Sequence, residues 1–507
     1  MTENRFNLID EPWIPVVDVG RVSLRQLFSH PEYRALGGNP VQKIALTKLL
    51  LAIAQSAYTP QDDYDWAQLQ PSGMAEKCLE YLDRWHDRFF LYGDKPFLQM
   101  PAIKDAAVQP FGAVLPEVST GNTTVLTQGQ IEKPLTDADK ALLIVQLMGF
   151  ALGGKKTDNS VVLSPGYQGK KNEKGKPSTG KPGASVGFMG YLHNFLMAET
   201  LWTTIWHNLF TQEQIAELKI FPTGLGTPPW ERMPAGEQCP TAEELKTSLI
   251  GRLVPPSRFC LLDGKGLHYS EGIAHLGLQE GIVDPSVSAD FSATRPRAIW
   301  VDPEKRPWRV LTALLSFLSV NSTNKFSCLQ LRLGLTRAMR RSETIGIWSG
   351  GLRVSSNAGE QYVAGSDDFV ESLIQLHCSI LGEQWFTNLQ LEMELLEKLA
   401  SQVWSAVYNC HKREIKDSKE RDNRADSLAK NAQNLFWQLC ELRFQDLVYA
   451  CDSLEKVQTL KPVFANIVYR AYDTCCPRET ARQLDAWAKN RPKLGKYLNH
   501  LNKEDAA

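Results

Sequence analysis

Apolar residues recur at helical spacing in two stretches near the N-terminus. In residues 40–58 they fall three and four positions apart, which indicates a helix with one apolar face. Residues 75–90 repeat this spacing and are followed by a Gly-Asp-Lys-Pro sequence that is typical of a turn. Both segments are therefore predicted to be core helices, and neither pattern by itself implies chemistry.

Short apolar or alternating runs beside glycine or proline indicate strands in the first 360 or so residues. These runs cover residues 14–19, 258–262, 298–301 and 345–348. The N-terminal part of the chain is therefore predicted to mix helices and strands.

The pattern changes after about residue 365, where long, glycine-poor segments with a period of 3.6 residues replace the short runs. Helices are predicted at residues 369–381, 389–409, 426–451, 457–475 and 479–498. Within 426–451, the apolar side is predicted to carry Leu428, Leu435, Leu439, Leu442 and Leu447. This part of the chain reads as a helical bundle.

Length and composition agree with more than one globular domain. The chain has 507 residues, of which 43% are hydrophobic, so it is too long for one ordinary domain and too apolar for a disordered chain. We predict an α+β fold, with a mixed α/β domain over residues 1–365 followed by a helical bundle over residues 366–507.

The sequence contains no run of about 18 uncharged apolar residues, and its first residues lack the basic and apolar regions of a signal peptide. A cytoplasmic protein with no membrane partner is expected. The ten cysteines include no Cys-x-x-Cys pair, so we expect reduced thiols and neither a structural zinc site nor a disulfide framework.

Three basic stretches stand out in a chain whose net charge is only −1. Residues 155–181 have a net charge of +5, residues 286–341 of +7 and residues 455–499 of +5. Because binding to nucleic acid depends on where charges lie, these stretches favour such a partner, although a plain solvated surface stays open for each. The first stretch lies in the glycine-rich segment 153–190, which is predicted to be a long loop that orders on a polyanion.

The sequence carries no recognisable catalytic signature. His86 and Asp87 form a bare pair, without the further ligands that a metal-dependent phosphohydrolase needs at set spacing. Gly224 and Gly226 begin a Gly-x-Gly sequence, but two prolines follow and disfavour the helix of a phosphate site. We predict no catalytic residues, no metal and no cofactor, which favours a binding or scaffolding role over an enzyme.

Several blocks of the sequence resemble the CasA family, the large subunit of the type I-E CRISPR Cascade. The longest blocks read FNLIDEPWIPV at residues 6–16, YLDRWHDRF at 81–89 and KPFLQ at 95–99. Shorter matches in family order read VSLR at 22–25, STGN at 119–122, FALGG at 150–154, PPWE at 228–231 and GG at 350–351. The likeness covers most of the chain, and its C-terminal half matches mainly in helical pattern.

The resemblance implies both a fold and a function. It implies an N-terminal mixed α/β domain and a C-terminal four-helix bundle. It also implies a non-catalytic subunit that recognises the protospacer-adjacent motif, PAM, in double-stranded DNA and promotes duplex opening and R-loop formation in antiviral defence. The implied partners are double-stranded target DNA, guide RNA within the complex, other Cascade subunits and the associated helicase-nuclease.

Three family motifs map DNA-binding residues onto this chain. The loop that reaches the guide and the PAM matches residues 121–130, with candidates Asn122, Thr127 and Gln128. The family's glycine loop matches residues 164–170, and the candidates there and just beyond are Gly166, Gln168, Gly169, Lys170 and Lys171. An ordinary solvated polar turn stays open for the first set.

The third motif is a wedge that the family inserts at the first base pair. It follows Gly-Gly-x-Arg, here residues 350–353, so its candidates are Arg353, Ser355, Ser356 and Asn357. An ordinary hairpin turn is the alternative for Asn357.

Two departures from the family pattern matter. The cysteine pairs that bind zinc in some members are missing, so no metal is expected. A minor-groove lysine should lie near residues 264–279, where the chain offers Lys265, His268 and His275 without a firm alignment.

Two other classes of protein stay open. One is a metal-dependent nuclease or phosphohydrolase with a site that includes His86. The other is a purely structural assembly subunit whose basic surfaces meet acidic partners.

Overall fold

The computed structural model describes residues 3–115, 134–152, 157–158, 161–163, 171, 175, 190–281, 284–292, 294–320, 325–357, 360–363, 368–412 and 418–499. The chain divides into two compact units. The first unit comprises Met1–Pro307 with Lys325–Leu373, and the second comprises Trp308–Asn324 with Ile374–Ala507. The predicted domains 1–365 and 366–507 leave residues 308–324 in the first domain; as a domain assignment they stay a prediction.

The chain is α+β, as predicted, with helices and small antiparallel sheets. The helices are α1 (Leu24–Ser29), α2 (Pro40–Ala57), α3 (Asp63–Arg84), α4 (Asp137–Gly149), α5 (Leu201–His207), α6 (Gln212–Leu218), α7 (Pro240–Thr247), α8 (Ile250–Leu253), α9 (Leu311–Leu314), α10 (Leu329–Ala338), α11 (Glu383–Lys412), α12 (Ser418–Ala450), α13 (Leu454–Cys475), α14 (Ala481–Asn490) and α15 (Gly495–Leu498). The strands are β1 (Arg5–Asn7), β2 (Ile14–Val16), β3 (Gly20–Val22), β4 (Phe90–Tyr92), β5 (Val108–Pro110), β6 (His193–Met197), β7 (Arg258–Leu262), β8 (Gly266–Glu271), β9 (Ala289–Asp290), β10 (Arg297–Ala298), β11 (Thr344–Leu352), β12 (Ser355–Asn357), β13 (Glu360–Tyr362) and β14 (Phe369–His377).

The sheets are small. Three-stranded sheets have the orders β14-β11-β6 and β5-β8-β7, and two-stranded pairs are β1-β4, β2-β3, β9-β10 and β12-β13. None of the helices in the described part of the chain is long and apolar enough to cross a membrane.

Helix α2 begins and ends close to the predicted bounds. Asn39 caps it, since its side chain accepts from the Gln42 amide and Gln42 reaches back, and Pro40 occupies the first turn. The helix is buried on nearly all sides, including Lys48, so the expected single apolar face is too narrow a description.

The second predicted helix starts earlier and ends sooner than residues 75–90. Helix α3 begins at Asp63 and is kinked at Gln70, where φ is 54°, because Pro71 excludes the helical conformation from the residue before it. The helix ends at Arg84, and residues 86–88 form a short 3-10 turn before β4.

The predicted helix 369–381 is wrong, because residues 369–377 form strand β14 beside β11. Val370, Ile374 and Leu376 are buried at even spacing, which fits a strand as well as a short amphipathic helix. Hydrogen-bonded pairing with strand β11 decides that this segment is a strand and not a helix.

In the second unit, helices α11 and α13 contain the predicted segments 389–409 and 457–475, and α12 covers the predicted segment 426–451 as far as Ala450. The predicted leucine side of α12 is wrong at Leu442, which is 77% exposed, whereas Leu447 is buried as predicted. Over the first part of the helix the buried stripe is displaced by about one position and includes small and aromatic side chains, namely Ala425, Ala429, Ala432, Phe436 and Cys440. Because alanine is smaller than leucine, it lets neighbouring helices pack more closely, and this close packing favours the alanine stripe over the leucine side.

The second unit also includes a segment from the middle of the sequence. Trp308 is buried, with its ring 5.8 Å from Trp437 and 4.5 Å from Phe444. Arg309 lies 3.8 Å above the Trp437 ring and pairs with Glu397 at 3.0 Å. Trp308 and Arg309, at the start of this segment, therefore pack within the second unit.

A buried ion pair ties α2 to the segment before β9. The Lys48 ammonium donates to the Asp284 carboxylate and, at 2.8 Å, to the Arg252 carbonyl. Burial raises the pKa of the Asp284 carboxyl, but the Lys48 charge acts together with the hydrogen bonds from Lys48 and Ser286 to keep that pKa below its usual value. Ser286 donates to Asp284 at 2.7 Å and lies 2.8 Å from His193 Nδ1, and burial lowers the pKa of His193 to about 3, so its ring is neutral.

Lys48→Ala is expected to lower the free energy of unfolding by about 3–5 kcal/mol, because Asp284 would stay buried without its cation. Urea denaturation measures this loss. Lys77, whose ammonium lies 3.0 Å from Glu80 on an exposed face, is the matched control, and Lys77→Ala is expected to cost less than about 1 kcal/mol. Equal costs for the two variants would contradict the assigned role of the buried pair.

Candidate nucleic-acid interface

The third predicted motif lies on a hairpin that follows β11. Eight of the nine residues of β11 are buried. After Arg353 and Val354 the chain forms the pair β12–β13, in which Ser355 faces Tyr362 and Asn357 faces Glu360. Ser356 lies between these pairs, and residues 358–359 lie outside the described residues. The backbone thus places Ser355, Ser356 and Asn357 on one strand that ends next to 358–359.

The base of the hairpin is closed by Arg353 and Asp368. The Arg353 guanidinium lies 2.6 Å from the Asp368 carboxylate, and the Arg353 amide donates to the Asp368 carbonyl at 2.9 Å. Asp368 is buried, whereas the Arg353 side chain is partly exposed. Arg353 therefore anchors the hairpin in this structure; its contact with DNA stays a prediction.

Gly190, the last residue of the glycine-rich segment 153–190, lies next to the end of β11. Gly190 has φ of +82°, and a β-carbon there would lie 2.4 Å from the Leu352 carbonyl oxygen. A β-carbon at Gly351 would lie 2.6 Å from Val301 Cγ2 and 2.8 Å from the Tyr191 carbonyl. The end of the glycine-rich segment and the end of β11 are thus in backbone contact, which only residues without a side chain permit.

The other end of this segment lies on strand β8. The Asp158 amide donates to the Tyr269 carbonyl at 3.1 Å, and the Asp158 carboxylate accepts from the Ala107 amide at 2.9 Å. Thr157 donates to Glu271 at 3.2 Å, and Glu271 is itself paired with buried Arg258 at 2.8 Å. Both ends of the segment are therefore held by the first unit.

The predicted residues within this segment are mostly beyond the described part. Gly166, Gln168, Gly169 and Lys170 lie outside the described residues, and Lys171 is exposed. The structure brings the ends of the segment to β8 and β11, and the contacts of all five residues with DNA stay predictions.

Residues 116–133, which include Asn122, Thr127 and Gln128, also lie outside the described residues. The helix that follows them, α4, is fixed at its first turn. Asp137 lies 2.6 Å from Arg5 and accepts from the Tyr92 hydroxyl at 2.7 Å. Partial burial raises the pKa of Asp137, but the Tyr92 hydroxyl and the neighbouring cations lower it below its usual value.

The region expected to supply a minor-groove lysine is hairpin β7–β8. Lys265 is exposed at its turn. His268 Nδ1 lies 2.6 Å from the Ala106 carbonyl, and His275 is buried, which lowers its pKa well below the usual value. Of the three residues that the sequence offered, Lys265 is therefore the solvent-facing cation.

Part of the basic charge counted in the sequence is turned inward. Arg337 is buried, donates to the Leu209 carbonyl and lies 4.7 Å above the Trp66 ring. Lys461 is buried, and Arg491 pairs with Asp473 at 2.9 Å. The charge counts for 286–341 and 455–499 thus overstate the positive surface that these stretches present.

His86 belongs to a chain of polar side-chain contacts. Its Nε2 atom lies 2.6 Å from the Asp10 carboxylate, and Asp10 also accepts from Arg25 at 3.0 Å. Arg25 in turn lies 2.8 Å from Asp83. Over the residues that the structure describes, no three His, Cys, Asp or Glu side chains cluster as ligands for a metal ion.

Comparison with known proteins identifies the family of this chain. Residues 7–491 match the family described as CRISPR-associated protein Cse1, so the chain belongs to this family and the predicted CasA relationship is confirmed. A CasA/Cse1 protein of Thermus thermophilus is 36% identical over 166 residues, a match that spans 30% of this chain and only 32% of that relative.

Solved structures share the fold at lower identity. The Thermus thermophilus CasA (Cse1) structure has a TM-score of 0.74 at 20% identity and covers 98% of this chain and all of that one. A chain of a CRISPR RNA-guided surveillance complex has a TM-score of 0.63 at 14% identity, covering 96% of this chain and 98% of that one.

Gly190→Ala is expected to destabilise the chain by more than about 3 kcal/mol, because left-handed strain adds to a clash with the Leu352 backbone. Gly224→Ala is the control. Gly224 has φ of +69° with nothing within 4 Å of an added β-carbon, so only the strain of about 1–2 kcal/mol is expected. Thermal unfolding compares the two, and similar losses would show that the close approach to β11 does not matter.

Proposed function

We propose that this chain is the large subunit of a type I-E Cascade complex, where it recognises the PAM in double-stranded DNA and promotes duplex opening and R-loop formation. Family membership and the shared fold with a chain of an RNA-guided surveillance complex support this role. The guide RNA then reads the sequence by base pairing, while the protein reads a short motif and the DNA backbone.

The observation that carries the proposal is the anchored hairpin β12–β13. Separating the first base pair costs a few kcal/mol. The protein element that enters the duplex must therefore be held firmly enough that the base pair separates and the protein does not deform. The hairpin follows a buried strand and is closed at its base by Arg353 and Asp368. In our proposal Asn357 enters the base step, and its amide forms hydrogen bonds there, while Ser355 and Ser356 support it.

Two loops complete the proposed contact with DNA. Asn122, Thr127 and Gln128 contact the guide and the PAM region. Gly166, Gln168 and Gly169 let the backbone approach the minor groove, whose hydrogen-bonding code is degenerate. Lys170 and Lys171 bind phosphates, which gives affinity without sequence preference. Lys265 on the β7–β8 turn is a further cation available to the groove.

The proposal assigns no reaction to this chain, and it includes no metal or cofactor. The long helices of the second unit, α11 to α14, are proposed to form the family's four-helix bundle and to dock a neighbouring subunit. Guide RNA, other Cascade subunits and the associated helicase-nuclease complete the set of proposed partners, in the cytoplasm.

The deciding experiment is duplex binding by a reconstituted guide-RNA complex with and without this chain. Matched targets carry a randomised flanking motif, and the bound fraction is sequenced. Enrichment of one flanking motif only when the chain is present supports the proposal. Unchanged affinity and no enrichment would exclude the PAM-reading role.

Asn357→Ala is expected to slow opening of matched duplexes about tenfold or more while leaving initial duplex binding nearly unchanged, because the wedge acts after binding. Fluorescence of 2-aminopurine next to the motif measures opening. Asn466→Ala, at an exposed position of α13, is the control. Equal loss of binding to all duplexes would assign Asn357 to backbone contact instead.

Charge reversal of Lys170 and Lys171 to glutamate is expected to weaken binding to all duplexes alike and to reduce the salt dependence, by about one unit of slope per lysine. Titrations at several salt concentrations measure the slope. Reversal of exposed Lys95 and Lys104 is the charge-matched control. A loss confined to one flanking motif would show that these lysines read bases.

A further inference from the structure

A row of exposed cations follows helix α10 of the first unit. Lys325 precedes the helix, Arg332 lies on it, and the turn that follows it carries Arg340 and Arg341. All four side chains are exposed, and together they are the α10 cations. No acidic residue occurs between Lys325 and Ser342, and the proposed contacts with the motif use none of the four cations.

The α10 cations have no partners within the protein. Among the residues that the structure describes, none of the four side chains forms an ion pair or a hydrogen bond. Several other exposed cations of the first unit are paired, such as Arg5 with Asp137 at 2.6 Å and Arg21 with Asp139 at 2.5 Å. In a chain with 56 basic and 57 acidic residues, α10 and its two ends thus present positive charge that nearby acidic side chains do not neutralise.

Helix stability accounts for only two of these charges. Arg340 and Arg341 follow the C-terminal end of α10, where the helix dipole favours a cation. Arg332 lies near the N-terminal end, where the dipole disfavours a cation, and Lys325 precedes that end. The first turn of α10 contains no acidic side chain that could compensate. The fold therefore gives no reason for Arg332 and Lys325, which points to an anion from outside the chain.

The opposite face of α10 is fixed against the first unit. Buried Arg337 donates to the Leu209 carbonyl. A β-carbon at Gly334 would lie 2.9 Å from the His207 carbonyl oxygen, so the backbone of α10 packs directly on the end of α5. A helix held in this way keeps the spacing of its exposed cations when a ligand binds.

Helix α10 runs beside β11, from the hairpin end of that strand to its other end. Ser327, just before the helix, exchanges backbone hydrogen bonds of 2.8 and 3.0 Å with Ala289 of β9. Strand β9 pairs with β10, and Val301 beyond β10 contacts Gly351 near the hairpin. After the helix, the chain enters β11 at Thr344, roughly 27 Å from the hairpin end of the strand. The α10 cations therefore form a row that starts near the hairpin β12–β13 and leads away from it.

A nucleic-acid duplex is the anion that fits this row. Arg332 and Arg340 are eight residues apart, or about 12 Å along the helix axis, so they can contact different phosphates of one strand. A single strand would stack its bases on exposed aromatic rings, and the described residues 325–341 present no exposed aromatic side chain. A protein partner would meet apolar side chains as well, whereas the exposed side chains of α10 are those of Arg332 and Thr336.

We propose that the α10 cations bind the phosphates of the double-stranded DNA that flanks the recognised motif, without reading its sequence. This inference rests on the proposed function, because motif recognition brings the duplex to the hairpin. A duplex whose first base pair lies at the hairpin extends its flank along the row. The α10 cations thus hold the closed part of the duplex while the hairpin separates the first base pair, and they add affinity only when the flank reaches them.

The test measures binding of the assembled guide-RNA complex to matched targets whose duplex extends about 3 or about 15 base pairs beyond the motif. At about 3.4 Å per base pair, only the longer flank spans the row of roughly 27 Å. With the wild-type chain, the longer flank is expected to bind about tenfold or more tightly than the shorter one at 0.1 M salt.

The double variant Arg332→Gln with Arg340→Gln is expected to lose most of this advantage. Its salt dependence on the longer flank is expected to fall by about two units of slope, because two phosphate contacts are lost, and its affinity for the shorter flank is expected to be unchanged. The matched control is Arg84→Gln with Lys95→Gln, which removes two exposed cations at the end of α3 and after β4. The control is expected to keep the full advantage of the longer flank.

An arginine variant that retains the advantage of the longer flank would overturn the inference, as would an equal loss of affinity for both flank lengths. Failure of this variant to assemble with guide RNA and the other subunits, measured by mass photometry, would assign the cations to the complex and not to DNA. Motif enrichment is scored separately on the short-flank targets. Its absence with the wild-type chain refutes the proposed function, whereas motif-dependent binding without a flank advantage refutes only the α10 contact.

Discussion

Backbone-to-backbone contact at the end of β11 is the constraint on which the candidate interface depends. The chain at Gly190 lies against the Leu352 carbonyl, and Gly351 lies against the Val301 side chain and the Tyr191 carbonyl, so three segments distant in sequence meet at two glycines that leave no room for a side chain of their own. Because such a contact has almost no freedom to shift, the segments that leave it start from fixed points. The hairpin β12–β13, the end of the glycine-rich segment and the residue Trp300 all lie next to this contact in the chain.

Electrostatics in this chain serve two separate purposes. Lys48 and Arg337 are buried and neutralised or capped by internal partners, so they stabilise the fold and are absent from the surface potential. Lys171, Lys265 and Arg295 are exposed and are available to phosphates. A nearly neutral protein therefore presents local positive charge, which the proposed function assigns to DNA phosphates, without the repulsion that a large net charge would bring.

The sequence predicted the elements whose pattern is local. Helix α2, strand β7 and the long helices α11 to α13 follow from apolar periodicity and from neighbouring glycine or proline, and the family follows from short blocks of sequence. Strand β14 was predicted as a helix because its buried positions fit both periods, and only its pairing with β11 decides between them. The stripe of α12 was displaced because leucine spacing does not reveal that alanines face the neighbouring helices. The site was predictable only as motifs, since the meeting of Gly190 with Leu352 joins residues far apart in the chain.

The placement of residues 308–324 in the second unit has a consequence for how the protein is made. The chain enters that unit, leaves it for residues 325–373 and then returns, so neither unit is one continuous stretch. During synthesis Trp308 emerges from the ribosome long before Trp437 and Phe444. Its apolar ring therefore cannot pack against these two side chains until they have been synthesised. A gene fragment that starts at residue 374 would lack this ring, so the two units are separable only if the fragment carries residues 308–324 on a designed linker.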